Sequence, residues 1–339
     1  MKVLYLYSGV RKDKFKGKIS IDYPDTQFYG LSPLSDFGIE ADFKEFKNKF
    51  LSFRLRHFFS YFLTQGYDLV FGSSLLFTVI FKKIFRSRRK FVLFNLGITR
   101  TLSANKNSFK LRLIRWLLKE IDAIVCLAST QVEYLKKEFP FLKGKLFFVP
   151  LGVDVNFYKP NFENRKKYFL SVGRDNGRDY KTVVETAFLM PEDEFHIVCS
   201  ERNLIGVDNV PLNVKIFYDI DVSELNKKYH EAQGLLLITH DDSFLDGSDC
   251  SGQTVLLDAM ACGLPVIASR KKYLNDYTEE GEGVLLVDFY NPNDVREKIQ
   301  KLGDKTFSEK IAKNARKKVE EKFSTREMAK NLSIVFNAI

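Results

Sequence analysis

Four cysteines, four histidines and a single tryptophan are all that 339 residues carry of those types. The four cysteines, Cys126, Cys199, Cys250 and Cys262, show no CxxC spacing, which argues against both a disulfide framework and a zinc site and suits a reducing, cytoplasmic setting. His196 and His230 read as core or surface residues, and His57 and His240 have no partner by spacing. Long apolar runs are missing too: none reaches the roughly 18 residues of a spanning helix. The N-terminus has no signal-peptide layout, since Met1-Lys-Val-Leu-Tyr-Leu-Tyr7 reads directly as a strand. Acidic residues are scarce in one region, where Lys44 to Lys119 holds 17 basic residues and only Glu45 and Asp68 of the opposite sign.

What is present suits two α/β cores, since the chain is too long for one ordinary domain and 45% of it is hydrophobic. Charge divides unevenly: residues 1–155 carry 27 Lys+Arg against 13 Asp+Glu, and residues 156–339 carry 26 against 30. Short apolar runs predict strands at 2–7, 68–72, 90–94, 123–127, 146–149, 167–172, 194–199, 214–217, 234–239, 266–268 and 283–289. Helices are expected at 131–139, with Ser129 as N-cap, from about Tyr180, at 223–230 and 254–262, and in a charged amphipathic tail over 305–339. Tyr29 to Leu34 falls where a first helix belongs, but Gly30 and Pro33 make it irregular.

The stretch that organises the chain runs from Asp249 to Ser269. Ser251-Gly252 is a turn whose backbone can approach a ligand closely, Thr254–Cys262 a helix, and Gly263 with Pro265 its stop. The start of such a helix, with unpaired N–H groups and a positive dipole end, seats a phosphate. Asp258, one turn further on, is placed to accept hydrogen bonds from a ribose diol. The run Leu257-Asp-Ala-Met-Ala-Cys-Gly-Leu-Pro-Val-Ile-Ala-Ser269 resembles the donor-site signature of the family 4 nucleotide-sugar glycosyltransferases, glycosyl transferases group 1. The resemblance implies the GT-B architecture: an α/β fold of two facing Rossmann-like domains with a C-terminal helix returning to the first. Leu146–Pro160 resembles the family's interdomain linker. The expected domains are therefore 1–158 for the acceptor, 159–320 for the donor and 321–339 for the returning helix. The family signature carries two glutamates; here Asp258 takes the second place and Cys250 the first, with Asp249 beside it as a stand-in.

What the resemblance implies for the site follows residue by residue. Asp249, Ser251, Gly252, Gln253, Thr254 and Asp258 would bind the donor, and Gly9, after the first strand, fits a loop that faces it across the cleft. Ser171-Val-Gly-Arg-Asp-Asn-Gly-Arg178 is similar to the loop where an arginine and a lysine clamp the diphosphate. Arg174 matches the arginine, Asp179 sits where the lysine falls, and Arg178 or Lys181 would supply the second charge. These cations would stabilise the leaving diphosphate. Asn95 stands where family members often have a cleft histidine, so it would meet the acceptor but carry no proton. The four aspartates between Asp241 and Asp249 have no EF-hand spacing, so no metal or cofactor is expected beyond the nucleotide-sugar co-substrate.

The basic block implies an anionic partner. Its aromatic stripes, at Phe46–Phe58, Phe77–Phe85 and Phe109–Leu117, interleaved with lysine and arginine, have the composition of interfacial helices. Lys82, Lys83, Arg86, Arg88, Arg89 and Lys90 are its densest cluster and the expected membrane contact. The reading is a retaining glycosyltransferase of the cytoplasm, peripheral at the inner membrane face, transferring to a lipid-linked or glycan acceptor. Two alternatives are a nucleotide-sugar epimerase of similar fold, which needs acid/base carboxylates and a histidine not found here, and a nucleic-acid-binding protein. No recognition motif supports the latter, and no nucleic acid is expected.

Overall fold

The computed structural model describes residues 1–9, 23–45, 53–104, 109–162, 165–244 and 246–339. The chain forms two compact units: the first comprises the N-terminal strand, Asp25–Leu151 and Thr325–Ile339, and the second Gly152–Ser324.

In the first unit the strands are β1 (Lys2–Tyr7), β2 (Glu40–Glu45), β3 (Leu69–Gly72), β4 (Lys90–Asn95), β5 (Ala123–Cys126) and β6 (Leu146–Phe148). They make one parallel sheet in the order β2-β1-β3-β4-β5-β6. Helices α1 (Phe53–Phe62), α2 (Val79–Ile84), α3 (Ile98–Ala104), α4 (Phe109–Lys119) and α5 (Ser129–Glu138) connect its strands. Central strands such as β3 and β5 are buried at every residue. Helices cover both faces of such a sheet, so its strands read as continuous apolar runs rather than alternating ones.

The second unit repeats the plan with β7 (Tyr168–Val172), β8 (Glu194–Cys199), β9 (Val214–Tyr218), β10 (Gly234–Leu237), β11 (Val266–Ser269) and β12 (Val284–Val287). Its parallel order, β12-β11-β10-β7-β8-β9, is that of a Rossmann sheet. Helices α6 (Tyr180–Phe188), α7 (Val222–Glu231), α8 (Gln253–Ala261), α9 (Pro292–Leu302) and α10 (Lys305–Lys322) pack around it.

Three local expectations change. Ser129 is the first residue of α5 rather than its cap; Ala128 occupies the cap position and no side chain bonds there. Strand β2 replaces any continuation of helix after residue 34, following 3-10 turns at Asp25–Phe28 and Ser32–Phe37. The tail is two helices, because the chain straightens at Ser324, where it bridges Val153, before α11 (Thr325–Ala338) begins. The aromatic stripe at Phe46 and Phe50, with Lys47 and Lys49, lies outside the described residues.

Helix α11 belongs to the first unit, where Phe336 packs edge-on to Phe71 of β3 at 5.5 Å and Arg326 pairs with Asp36 at 3.2 Å while lying over Phe37. Because Phe336 is buried at the centre of this contact, Phe336→Ala should cost about 3–5 kcal/mol. Trp116, the only tryptophan, lies in α4 of the same unit, so its fluorescence in a urea titration reads that unit. The midpoint should fall; an unchanged midpoint would show that α11 does not stabilise the first unit.

Candidate functional site

In the second sheet the strand order reverses between β7 and β10, so the loops that follow them diverge and leave a crevice at the switch point. The loop after β7 is fixed from within. Asp175 accepts the Gly177 N–H at 2.8 Å through Oδ1, and both its oxygens accept the Ser248 N–H at 3.2 Å. At the far end Asp179 caps α6 by accepting the Thr182 N–H at 3.1 Å and the Thr182 hydroxyl. Between these anchors Arg178 is held by its backbone, donating to the Asp175 carbonyl at 3.1 Å and forming an antiparallel bridge with Thr239 beyond β10.

The Arg178 side chain is buried, and its Nε and Nη1 make no hydrogen bond. Two glycines give it room. A Cβ on Gly173 would lie 2.2 Å from Nε, and one on Gly252 would lie 2.5 Å from Nη1. Gly252 has φ of 103° and is also the N-cap of α8, with no side-chain cap. A guanidinium therefore faces the positive end of a helix, and among the described residues no carboxylate pairs with it. An ion left this way costs several kcal/mol unless a counter-charge completes the site. Around it, the Ser251 and Thr239 hydroxyls are likewise buried and unbonded, and the Ser251 carbonyl is held by the buried Tyr273 hydroxyl at 2.7 Å. A buried guanidinium, hydroxyls and a helix start are together the chemistry that can hold a phosphate or diphosphate.

Other residues singled out from the sequence fall at varying places. Gln253 is buried and Thr254 half-buried in the first turn of α8, and Asp249 and Cys250 lie half-buried in the turn just before it. Arg174 is not in the cradle: its guanidinium is largely exposed and pairs with Asp219 at 3.0 Å. Lys181 is exposed on α6, 3.9 Å from Glu185. Gly9 lies in the bend two residues beyond β1 of the first unit, half-buried. Thr239 and Tyr273 were not signalled by the sequence; only the pairing of strands brings them to Arg178.

Asp258 lies in α8 at 4% exposure, hydrogen-bonded by the Tyr158 hydroxyl, with Asp154 and Cys262 close by and its Oδ1 unbonded. In place of a carboxylate open to a ribose, the structure holds an enclosed one, its acidity weakened well beyond the usual range by burial, partly opposed by the Tyr158 hydrogen bond, with Asp154 adding the smallest share. Two further expectations are corrected. Asn95 is fully buried and is a helix cap, its Oδ1 accepting the Ile98 N–H at 3.0 Å and its amide donating to Thr99, so it does not point at an acceptor. The basic cluster is partly paired, with Lys83, Arg86, Arg88 and Lys90 exposed. Lys82 pairs with Asp122, Lys83 pairs with Glu120 and lies over Trp116, Arg89 lies over Tyr61 and donates to Thr64, and Lys90 is 3.8 Å from Asp122.

Comparison with known proteins agrees with this geometry. Residues 252–318, which begin at the cap of α8, match the family described as Glycosyl transferases group 1. A probable sucrose-phosphate synthase of Thermosipho melanesiensis is 24% identical over 348 residues, spanning 91% of this chain and 79% of that protein. Among solved structures, the sucrose-phosphate synthase of Thermosynechococcus elongatus superposes with a TM-score of 0.73 at 17% identity, over 99% of this chain and 98% of its own. HepE of Anabaena, in complex with UDP-glucose, gives 0.71 at 14% identity over the whole of both chains. At such identities the two structures speak for the fold, two parallel six-stranded Rossmann-like sheets of GT-B type.

The enclosed carboxyl of Asp258 has a measurable signature. Its folded-state pKa lies above the unfolded value near 4, so the folded state holds an extra proton and loses stability as pH rises from there toward the folded pKa. Asp258→Asn removes that loss. The melting temperature of the variant minus that of the parent should therefore climb as pH rises above the unfolded value near 4. A pH-independent difference would mean that the carboxyl titrates normally.

Proposed function

We propose that this chain, a group 1 glycosyltransferase of the GT-B fold, moves a sugar from a nucleoside-diphosphate sugar held by its second unit to an acceptor held by its first, with retention of configuration. The observation that carries this is Arg178, buried and unbonded between Gly173, Gly252 and the start of α8. As the bond from the sugar C1 to the phosphate oxygen breaks, negative charge accumulates on the diphosphate. Arg178, the Ser251 hydroxyl and the positive end of α8 are already in place to receive it. Of the nearby carboxylates, Asp175 and Asp179 hold the loop and Asp258 is enclosed, which leaves Asp249 in the turn before α8. In this reading the leaving phosphate oxygen takes the acceptor proton and the acceptor enters on the face the phosphate leaves.

The acceptor is proposed to be lipid-linked or a membrane glycan, with the enzyme peripheral on an anionic bilayer. No helix among the described residues is long and apolar enough to cross a membrane. The first unit instead exposes Leu55, Phe59 and Phe62 of α1, Ile84 and Phe85 beside α2, and Phe109 of α4. Exposed aromatic side chains among arginines and lysines suit the headgroup boundary. The contact thus rests on the aromatics more than on the paired lysines. The similarity to sucrose-phosphate synthases favours a second reading, in which the acceptor is a soluble phosphorylated sugar.

A thermal-shift panel of nucleoside-diphosphate sugars, beginning with UDP-glucose, tests the donor assignment, since a ligand that binds only the folded state raises the melting temperature. Arg178→Ala should abolish the shift and lower turnover about a hundredfold or more. Arg174→Ala, removing an exposed guanidinium paired with Asp219, should change turnover far less. The reverse ranking would move the diphosphate from the cradle to Arg174.

A further inference from the structure

The first sheet has a switch point of its own, between β1 and β3, and the loops beyond these strands line an open pocket of about 750 Å³ together with the loop after β4. Its polar lining is Ser8, Ser73, Ser74, Thr101, His57 and Lys110. Part of this lining is engaged. His57, which the sequence left without a partner, is buried with its Nδ1 2.9 Å from the Thr78 hydroxyl, and Thr101 donates to the Gly97 carbonyl at 3.1 Å. The rest is not: the Ser8, Ser73 and Ser74 hydroxyls and the Lys110 ammonium contact no described partner. Among the described residues no carboxylate lines the cavity, and its remaining wall is apolar, including Phe77, Leu96 and Ile114.

We propose that this cavity binds the phosphate group of the acceptor. The inference rests on the transferase reading above and names the acceptor class: a phosphate ester whose organic part meets the apolar wall. A neutral sugar is recognised through matched donors and acceptors, for which carboxylate and amide side chains are the usual partners; this lining offers hydroxyls and one cation instead. Such a donor set favours an anion, and the bond from an ammonium to a phosphate oxygen is charge-assisted. The surroundings extend the match. Lys110 follows the exposed Phe109 on α4, and His57 lies between the exposed Leu55 and Phe59 on α1, so apolar surface continues from elements that line the cavity. A lipid phosphate and a free sugar phosphate share the headgroup chemistry and differ in whether they use that surface.

Calorimetric titration of the full chain separates these cases. The probes are glucose 6-phosphate and hexyl phosphate, each against an uncharged counterpart, glucose and hexyl glucoside, with UDP titrated separately. At least one phosphate should bind tenfold or more tighter than its counterpart, and Lys110→Gln should weaken it by about tenfold while leaving the UDP affinity unchanged. Preference for hexyl phosphate assigns an amphiphilic acceptor, and preference for glucose 6-phosphate a soluble one; either supports the site. Equal binding of charged and uncharged probes overturns it. So does phosphate binding that neither Lys110→Gln nor the double variant Ser73→Ala, Ser74→Ala disturbs, because the phosphate then sits elsewhere. Failure of UDP to bind while a Lys110-dependent phosphate preference persists would sink the donor reading and leave this one standing.

Discussion

An uncompensated guanidinium at the switch point of the second sheet is the constraint on which that unit depends. Burying Arg178 without a partner is tolerable only if the groups around it cannot relax, and the sequence holds them in place. Asp175 and Asp179 fix the loop that carries it, Tyr273 fixes the turn below α8, and the two glycines leave no side chain in its way. Helix α8 is itself anchored at its other end. Arg316 of α10 donates to the carbonyls of Ala261, Tyr158 and Val155, and Arg165 donates to that of Gly263. The same chemistry, a guanidinium on backbone carbonyls, is complete at these two residues and incomplete at Arg178. That contrast sets Arg178 apart from the two arginines whose bonds are complete.

Charge in the first unit follows another logic. One acid there serves several partners: Asp122 accepts from the Phe91 N–H at 2.7 Å as well as pairing with Lys82 and Lys90. A net positive count along the chain therefore overstates how much free cation the surface presents. Aromatic faces take up part of the remainder, as at Trp116 under Lys83 and Phe139 under Arg115. The exposed phenylalanines lie on the same helices, so the region presents apolar surface and partly neutralised charge together.

Much of this was legible in the sequence, because parallel strands covered on both faces are unbroken apolar runs, and because the turn, helix and stop around α8 carry their own chemistry. Strand β2 was not legible. Its residues, Glu-Ala-Asp-Phe-Lys-Glu, lie at the edge of the sheet, half-exposed, and have no apolar run to betray them. Arg174 and Arg178 were both named as phosphate ligands, but only strand pairing brings Gly173 and Gly252 to opposite sides of one guanidinium and leaves the other in solvent. Asn95 misled for a related reason: its position at the end of β4 was read correctly, while the direction of its amide, into the first turn of α3, depends on backbone geometry that residue types do not encode.

The return of α11 to the first unit makes the second, topologically, an insertion within the first. On a ribosome adding roughly 5–20 residues each second, Gly152–Ser324 emerges as a continuous segment able to close its own sheet. The earlier unit meanwhile waits with the surface around Phe71 uncovered until Phe336 has been synthesised. The later-made half can thus finish first. The interval during which the sheet beneath α11 stands bare to water is set by the length of the inserted unit, so the domain made first is the one left longest to chaperones and to aggregation.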